Sequence, residues 1–191
     1  MHFTRAYHIV LVSGMYWNRD MSPWSAAGVM KEKKNFSGGA GMYLKELTED
    51  LIPNVEQWLK LKAPKRYLLG ISLSGLFTIW SLSRYNGFIG VGSISGSLWF
   101  DGFVEWAHKT PFFGNARIYL SLGIKEKNAP DRRMANVEDA TRETAGLLEG
   151  KGFDVTFEMV PGTHFSPAAP KFDRALEMLL QSGQENSAAE L

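Results

Sequence analysis

Three side chains, Ser72, Glu126 and His164, are of the types that together activate an alcohol as a nucleophile. Ser72 lies in the stretch RYLLGISLSGLFTIWSLSRY, residues 66–85. The apolar run Tyr67, Leu68 and Leu69 ends at Gly70. Ile71, Ser72, Leu73, Ser74 and Gly75 follow, and an apolar-periodic segment starts at once. This order reads as a strand, a tight turn and a helix, with Ser72 at the tip of the turn. A serine held there adopts a strained backbone, so its neighbours must be small for strand and helix to approach. Ser74 stands where a second glycine is usual, and its side chain is small enough to fit.

A serine hydroxyl needs a base to take its proton. The chain has four histidines, His2, His8, His108 and His164. Only His164 follows a late strand downstream of the serine, on the turn Pro161-Gly162-Thr163-His164. The carboxylate that fixes the imidazole tautomer should fall between the two in chain order. Glu126, three residues past Gly123, is the first choice, and Asp131 on the same loop is the second. Lys125 and Lys127 flank Glu126, so a plain surface charge cluster is the competing reading. An oxyanion formed at the serine needs two backbone N–H donors. Leu73, next after the nucleophile, supplies one. The other falls around Gly14, Met15 and Tyr16, with Met15 as the choice.

These residues need a scaffold, and the totals allow one. The 191-residue chain is 45% hydrophobic and 13% aromatic, which suits one buried core and argues against disorder. Lys plus Arg is 21 against 20 for Asp plus Glu. That balance gives no reason to expect nucleic acid or an anionic membrane as partner. With no cysteine there are no disulfides, thiolate metal sites or cysteine nucleophiles. The first apolar run is too short for a signal peptide, and none reaches membrane-spanning length. A soluble, cytoplasmic protein is the expectation.

Tyr7–Ser13 (YHIVLVS), closed by Gly14, reads as a strand buried on both faces, with His8 a core or strand-edge residue. Residues 15–41 form a long loop in which Trp17 and Trp24 either plug the loop onto the core or line a pocket. The run Lys31 to Lys34 reads as a solvated face, and Gly38, Gly39 and Gly41 as a lead into a helix rather than a phosphate loop. Residues 43–60 are amphipathic and interrupted by Pro53. The elbow helix spans about 74–84. Strands are expected over 88–95, 116–122 and 153–160, the last at a sheet edge. Helices are expected over 103–108, 134–149 and 168–181. Residues 1–181 read as one α/β unit and 182–191 as a frayed tail. Alternating strands and helices predict a three-layer α/β/α sandwich around a mostly parallel sheet. Ligands of such sheets bind beyond the carboxyl ends of the strands. Ser72, Trp99, Glu126 and His164 all fall there.

The segments GISLSGLFTIWSL, SISGSLWFDGFVEW, IYLSLGIKE and PGTHF resemble the α/β-hydrolases of the enterochelin-esterase and esterase-D-like group. WNRDMSPW followed by FSGGAG is similar to a signature of one branch of that group. The resemblance covers about residues 7–180. It implies a small α/β-hydrolase fold and hydrolysis of a small-molecule ester or thioester through an acyl-enzyme, with no metal and no organic cofactor. Such proteins carry further strands before the one that here begins at Tyr7. Without them the sheet has an open edge, which a second subunit could cover. Tyr16, Trp17, Trp24, Trp99 and Phe100 would line the substrate pocket. The competing functions are a hydrolase-like domain that only binds a ligand through its aromatic loop, and acyl transfer to an acceptor other than water.

Overall fold

The computed structural model describes residues 7–29 and 34–181. The run at 31–33 and the tail at 182–191 lie outside the described residues. The chain opens irregularly and enters α1 (Trp17–Asp20) and a two-stranded antiparallel pair, β1 (Ser25–Ala26) and β2 (Phe36–Ser37). Helix α2 (Ala40–Glu46) continues through a π-helical stretch (Leu47–Leu51) into α3 (Ile52–Trp58). Pro53 lies in the first turn of α3. A proline nitrogen has no proton to give, and the wider π turn just before it lets the helix run on without a break.

The rest alternates: β3 (Tyr67–Ile71), α4 (Leu73–Ser81), β4 (Gly90–Ile94), α5 (Phe103–Lys109), β5 (Arg117–Gly123), a 3-10 turn (Glu126–Asn128), α6 (Arg132–Ala135), α7 (Val137–Gly150), β6 (Val155–Val160) and α8 (Ala168–Gln181). Expected as one helix, the 134–149 stretch is two. Asp131 caps α6 by accepting from the N–H groups of Arg133 (2.9 Å) and Met134 (3.3 Å), and α7 restarts after Asn136.

The four main strands pair in the order β3-β4-β5-β6, all parallel. Strands covered on both faces must be apolar on both, and β4 is buried throughout. On one face Val91, Ile118 and Leu120 join Leu76 and Phe77 of α4 and Leu148 of α7 in the larger core. On the other, Ile94 and Tyr119 pack against Ala175 and Leu179 of α8. The sheet thus has helices on both faces, and β6 is at one edge as expected. Its residues are uniformly half-buried rather than alternating.

One expected strand does not form. Residues 7–16 carry no regular structure, and Ile9 and Leu11 are 71% and 90% exposed. An apolar run becomes a strand only when a neighbour takes its N–H and C=O groups. Among the described residues β3 is the other edge of the sheet. Ser72 N–H donates to the Ile94 carbonyl and Ile89 N–H to the Arg66 carbonyl, so the even-numbered residues face β4. Ile71 faces the other way, and the Ser74 hydroxyl satisfies it, accepting from its N–H and donating to its C=O, both at 2.8 Å.

Candidate active site

The turn between β3 and α4 projects Ser72 from the sheet. Its backbone sits at φ 60°, ψ −123°, a region an L-residue rarely adopts. Two glycines allow it by close approach. A Cβ on Gly70 would collide with the Ser74 carbonyl, and one on Gly75 would come 2.8 Å from Ser93 Oγ and 2.9 Å from Gly96 Cα. Ser74 takes the place of a further glycine and, as shown above, ties the end of β3 to the start of α4. Leu73 opens α4, where the first N–H groups have no intrahelical acceptor and point toward the tip.

His164 reaches this serine from the turn after β6. Its Nε2 lies 3.0 Å from Ser72 Oγ and its Nδ1 lies 2.9 Å from Glu126 Oε2. The imidazole is 22% exposed while the Glu126 side chain is 2% exposed. Glu126 Oε1 also accepts from the Gly123 N–H at 2.8 Å and the Ser95 hydroxyl at 2.7 Å. Burial alone would push the Glu126 carboxyl up. Hydrogen bonds from His164, Ser95 and Gly123 outweigh it and hold the group below the usual carboxylate range, so it is ionised at neutral pH. With Nδ1–H donating to that carboxylate, Nε2 is left as the acceptor facing the serine. The arrangement can take a proton from Ser72 and stabilise the resulting imidazolium.

Asp131, the other candidate acid, is spent on capping α6. Lys127 pairs with Glu138 at 3.1 Å on the surface and Lys125 is exposed, so the charges flanking Glu126 point away from it. Of the backbone groups considered at the chain start, the Tyr16 N–H donates to Asp20 Oδ2 at 2.7 Å, while Met15 is half-buried against the larger core.

The aromatic residues divide. Phe100 is 2% exposed and packs edge-on against Phe36 and Trp24. Trp24 also stacks near Trp106 and donates Nε1–H to the Asp101 carbonyl at 2.9 Å. Both help hold the long loop to the core, the plug alternative for Trp24, while Phe100 also borders the cleft beside Trp99. The reason is hydrophobic burial: a loop of this length is held down most cheaply by its largest apolar side chains. Trp99 borders a cleft of about 360 Å³ with Asp101, Glu105, His108 and Arg133; neither Ser72 nor His164 lines that cleft. Tyr16 and Trp17 are exposed on the loop, and His8 is exposed rather than in a core. Beside the imidazole stands Phe165, 77% exposed, its ring edge-on at 5.2 Å. Among the described residues no group of three or more His, Asp or Glu side chains is placed to hold a metal ion, and no helix is long and apolar enough to cross a membrane.

Three polar residues went unnoticed in the sequence. Ser95, at φ 46°, bridges Glu126 to Lys171. Lys171 had a readable signal, because it shares the apolar stripe of α8 with Ala175 and Leu179 yet is 7% exposed. Arg133 reaches Asp101 Oδ2 at 2.6 Å and the carbonyls of Ala27 and Gly28 at 3.0 and 2.9 Å, tying the long loop to α6.

A parallel sheet with helices on both faces and a serine on a strained strand-to-helix turn defines an α/β-hydrolase fold. The chain belongs to the esterase family described as "Putative esterase", whose model matches residues 7–176. An uncharacterised Bacillus subtilis protein, YbbA, is 29% identical over 169 residues, covering 84% of this chain and 68% of YbbA. Among solved structures, the IroE-like serine hydrolase of Shewanella oneidensis superposes with a TM-score of 0.71 at 21% identity, over 88% of this chain and 58% of that one. The siderophore hydrolase EstA of Aspergillus nidulans gives 0.67 at 22% identity, over 85% of this chain and 65% of its own. The chain therefore spans less than two thirds of either structure's length.

Proposed function

We propose that this protein is a serine hydrolase that cleaves carboxylic esters or thioesters through an acyl-enzyme on Ser72. The observation that carries the reading is the continuous hydrogen-bonded line from Ser72 Oγ through both ring nitrogens of His164 to Glu126. In the first half-reaction Ser72 Oγ attacks the substrate carbonyl carbon while its proton passes to His164 Nε2. The carbonyl oxygen becomes an oxyanion, held by the N–H of Leu73 and, as second donor, that of Met15. Collapse expels the alcohol or thiol, which leaves with the proton from Nε2. Water then repeats the sequence on the acyl-serine, giving the acid and the free hydroxyl. Buried Glu126 keeps the imidazole in the required tautomer and balances its transient charge. No metal or organic cofactor takes part in these steps.

The substrate is a small molecule, and Tyr16 and Trp17, exposed on the long loop, are the aromatic residues proposed to meet it; Trp99 and Phe100 border the separate cleft. Siderophore hydrolases among the structural neighbours add siderophores to simple acyl and thioacyl esters as substrates to test. The deciding experiment is treatment with a fluorophosphonate probe followed by peptide mass spectrometry. Labelling confined to Ser72, abolished in Ser72→Ala and accompanied by ester turnover, is the expected result. A folded protein that takes up no probe would overturn the reading.

A further inference from the structure

Lys171 is a cation in a place where α8 otherwise buries apolar side chains, and its ammonium is not exposed to water; the side chain is 6% exposed. A lysine so placed must find acceptors in the protein. It finds three, each on a different strand end. Nζ donates to Ser95 Oγ at 2.9 Å, just past β4, and to the Thr163 carbonyl at 3.1 Å, just past β6. It lies 3.8 Å from Glu126 Oε1, past β5. The Thr163 carbonyl directly precedes His164, and the Ser95 hydroxyl that accepts from Lys171 donates its own proton to Glu126. One buried ammonium therefore touches, directly or through one hydroxyl, both the segment carrying the base and the acid that orients it.

We infer that Lys171 is a positioning residue: it fixes the Glu126 carboxylate and the His164 turn relative to each other and shares the negative charge of Glu126, thereby setting the pH at which the His164 imidazole becomes free to accept a proton. The inference rests on the serine-hydrolase reading for its consequence in catalysis, though not for the coupling itself. A carboxylate neutralised in part by an ammonium stabilises the neighbouring imidazolium less than a lone carboxylate would. The titratable group paired with this ammonium is Glu126, whose other oxygen holds the His164 ring. Farther along α8, Arg174 is paired with Glu158 and Glu177, and the Tyr119 hydroxyl donates to Glu158. That cluster sets one guanidinium against two carboxylates, a net charge of −1 that is the same with or without Lys171. Removing Lys171 should therefore leave the imidazolium better stabilised, and His164 should lose its proton at a higher pH.

The test compares wild type with Lys171→Met by NMR titration of the His164 ring and by the pH dependence of fluorophosphonate labelling at Ser72. Both midpoints should rise together by roughly half a unit to one unit, the scale of a partly screened neighbouring charge. Labelling should fall several-fold on the acid side and recover in alkali. Ser95→Ala keeps the ammonium but removes one hydrogen bond to Glu126, so its midpoint should rise as well, by less than that of Lys171→Met. A folded Lys171→Met protein with the wild-type His164 midpoint overturns the inference. The wild type offers a measurement that needs no substitution: the 15Nζ resonance of Lys171 should shift along the His164 titration. A resonance flat through that range overturns the inference equally. If Ser72 takes no label while the NMR coupling is present, the hydrolase reading falls and the role of Lys171 in holding acid and base stands.

Discussion

Replacing Ser72 by glycine should leave the protein more stable than replacing it by alanine, against the usual order of these residues. The two substitutions lose the same hydrogen bond to His164 Nε2, so that contribution cancels. What differs is the backbone at φ 60°, ψ −123°. A side chain held in such a region costs about 1–3 kcal/mol, nearly all of which glycine avoids. Glycine in turn frees the unfolded chain, at a cost of about 0.4–1 kcal/mol. The difference favours glycine by about 1 kcal/mol, or about 2–4 °C in Tm for a domain of this size. Urea unfolding of both variants, with matching slopes, measures it. The same alanine-to-glycine comparison at exposed Arg142 in α7 should go the other way by about 1 kcal/mol. If the glycine variant at position 72 is no more stable than the alanine variant, the turn stores no strain and the argument for a forced presentation of the hydroxyl fails.

Glu126→Gln should lower ester turnover by on the order of 10⁴-fold, because an amide can donate to Nδ1 and stabilise the wrong tautomer. Its stability effect should depend on pH. The Glu126 carboxyl is held below the usual range in the folded state, so its contribution is present above about pH 4.3 and lost as pH falls through the folded value. Urea midpoints of wild type and variant should therefore converge in acid; parallel profiles would contradict the assignment. Arg133→Ala should release the segment that its guanidinium holds at Ala27 and Gly28, raising amide hydrogen exchange over residues 25–29 while β4 and β5 stay protected. Unchanged exchange there would show that the Trp24 plug alone holds the loop.

The positions of Ser72, Glu126 and His164 were readable because local signals mark them. Glycines at Gly70 and Gly123 end apolar runs, and a Pro-Gly turn aims His164; in a parallel sheet every such strand end falls on one side. Tyr7–Ser13 was misread because an apolar run looks the same with or without a neighbour to pair with, and pairing is not a property of the run. Trp24 and Phe100 stayed open in the sequence for a related reason: an aromatic residue in a loop can face ligand or core, and the contacts with Phe36 and Trp106 are visible only in the fold. Lys171 and Ser95 were missed since their contacts span 76 residues of chain, beyond any local pattern. The lysine in the apolar stripe of α8 was the available clue.

The sheet is laid down in chain order, one strand beside the last, and Ser72, Ser95, Glu126 and His164 each follow a different strand in that succession. Two of these partners, the hydroxyl and the imidazole, are separated by 92 positions, and the imidazole arrives with the fourth strand. On the proposed mechanism the serine is displayed early in synthesis but stays unactivated until β6 docks and brings His164 to it. On that reading, half-built chains carry no activated alcohol.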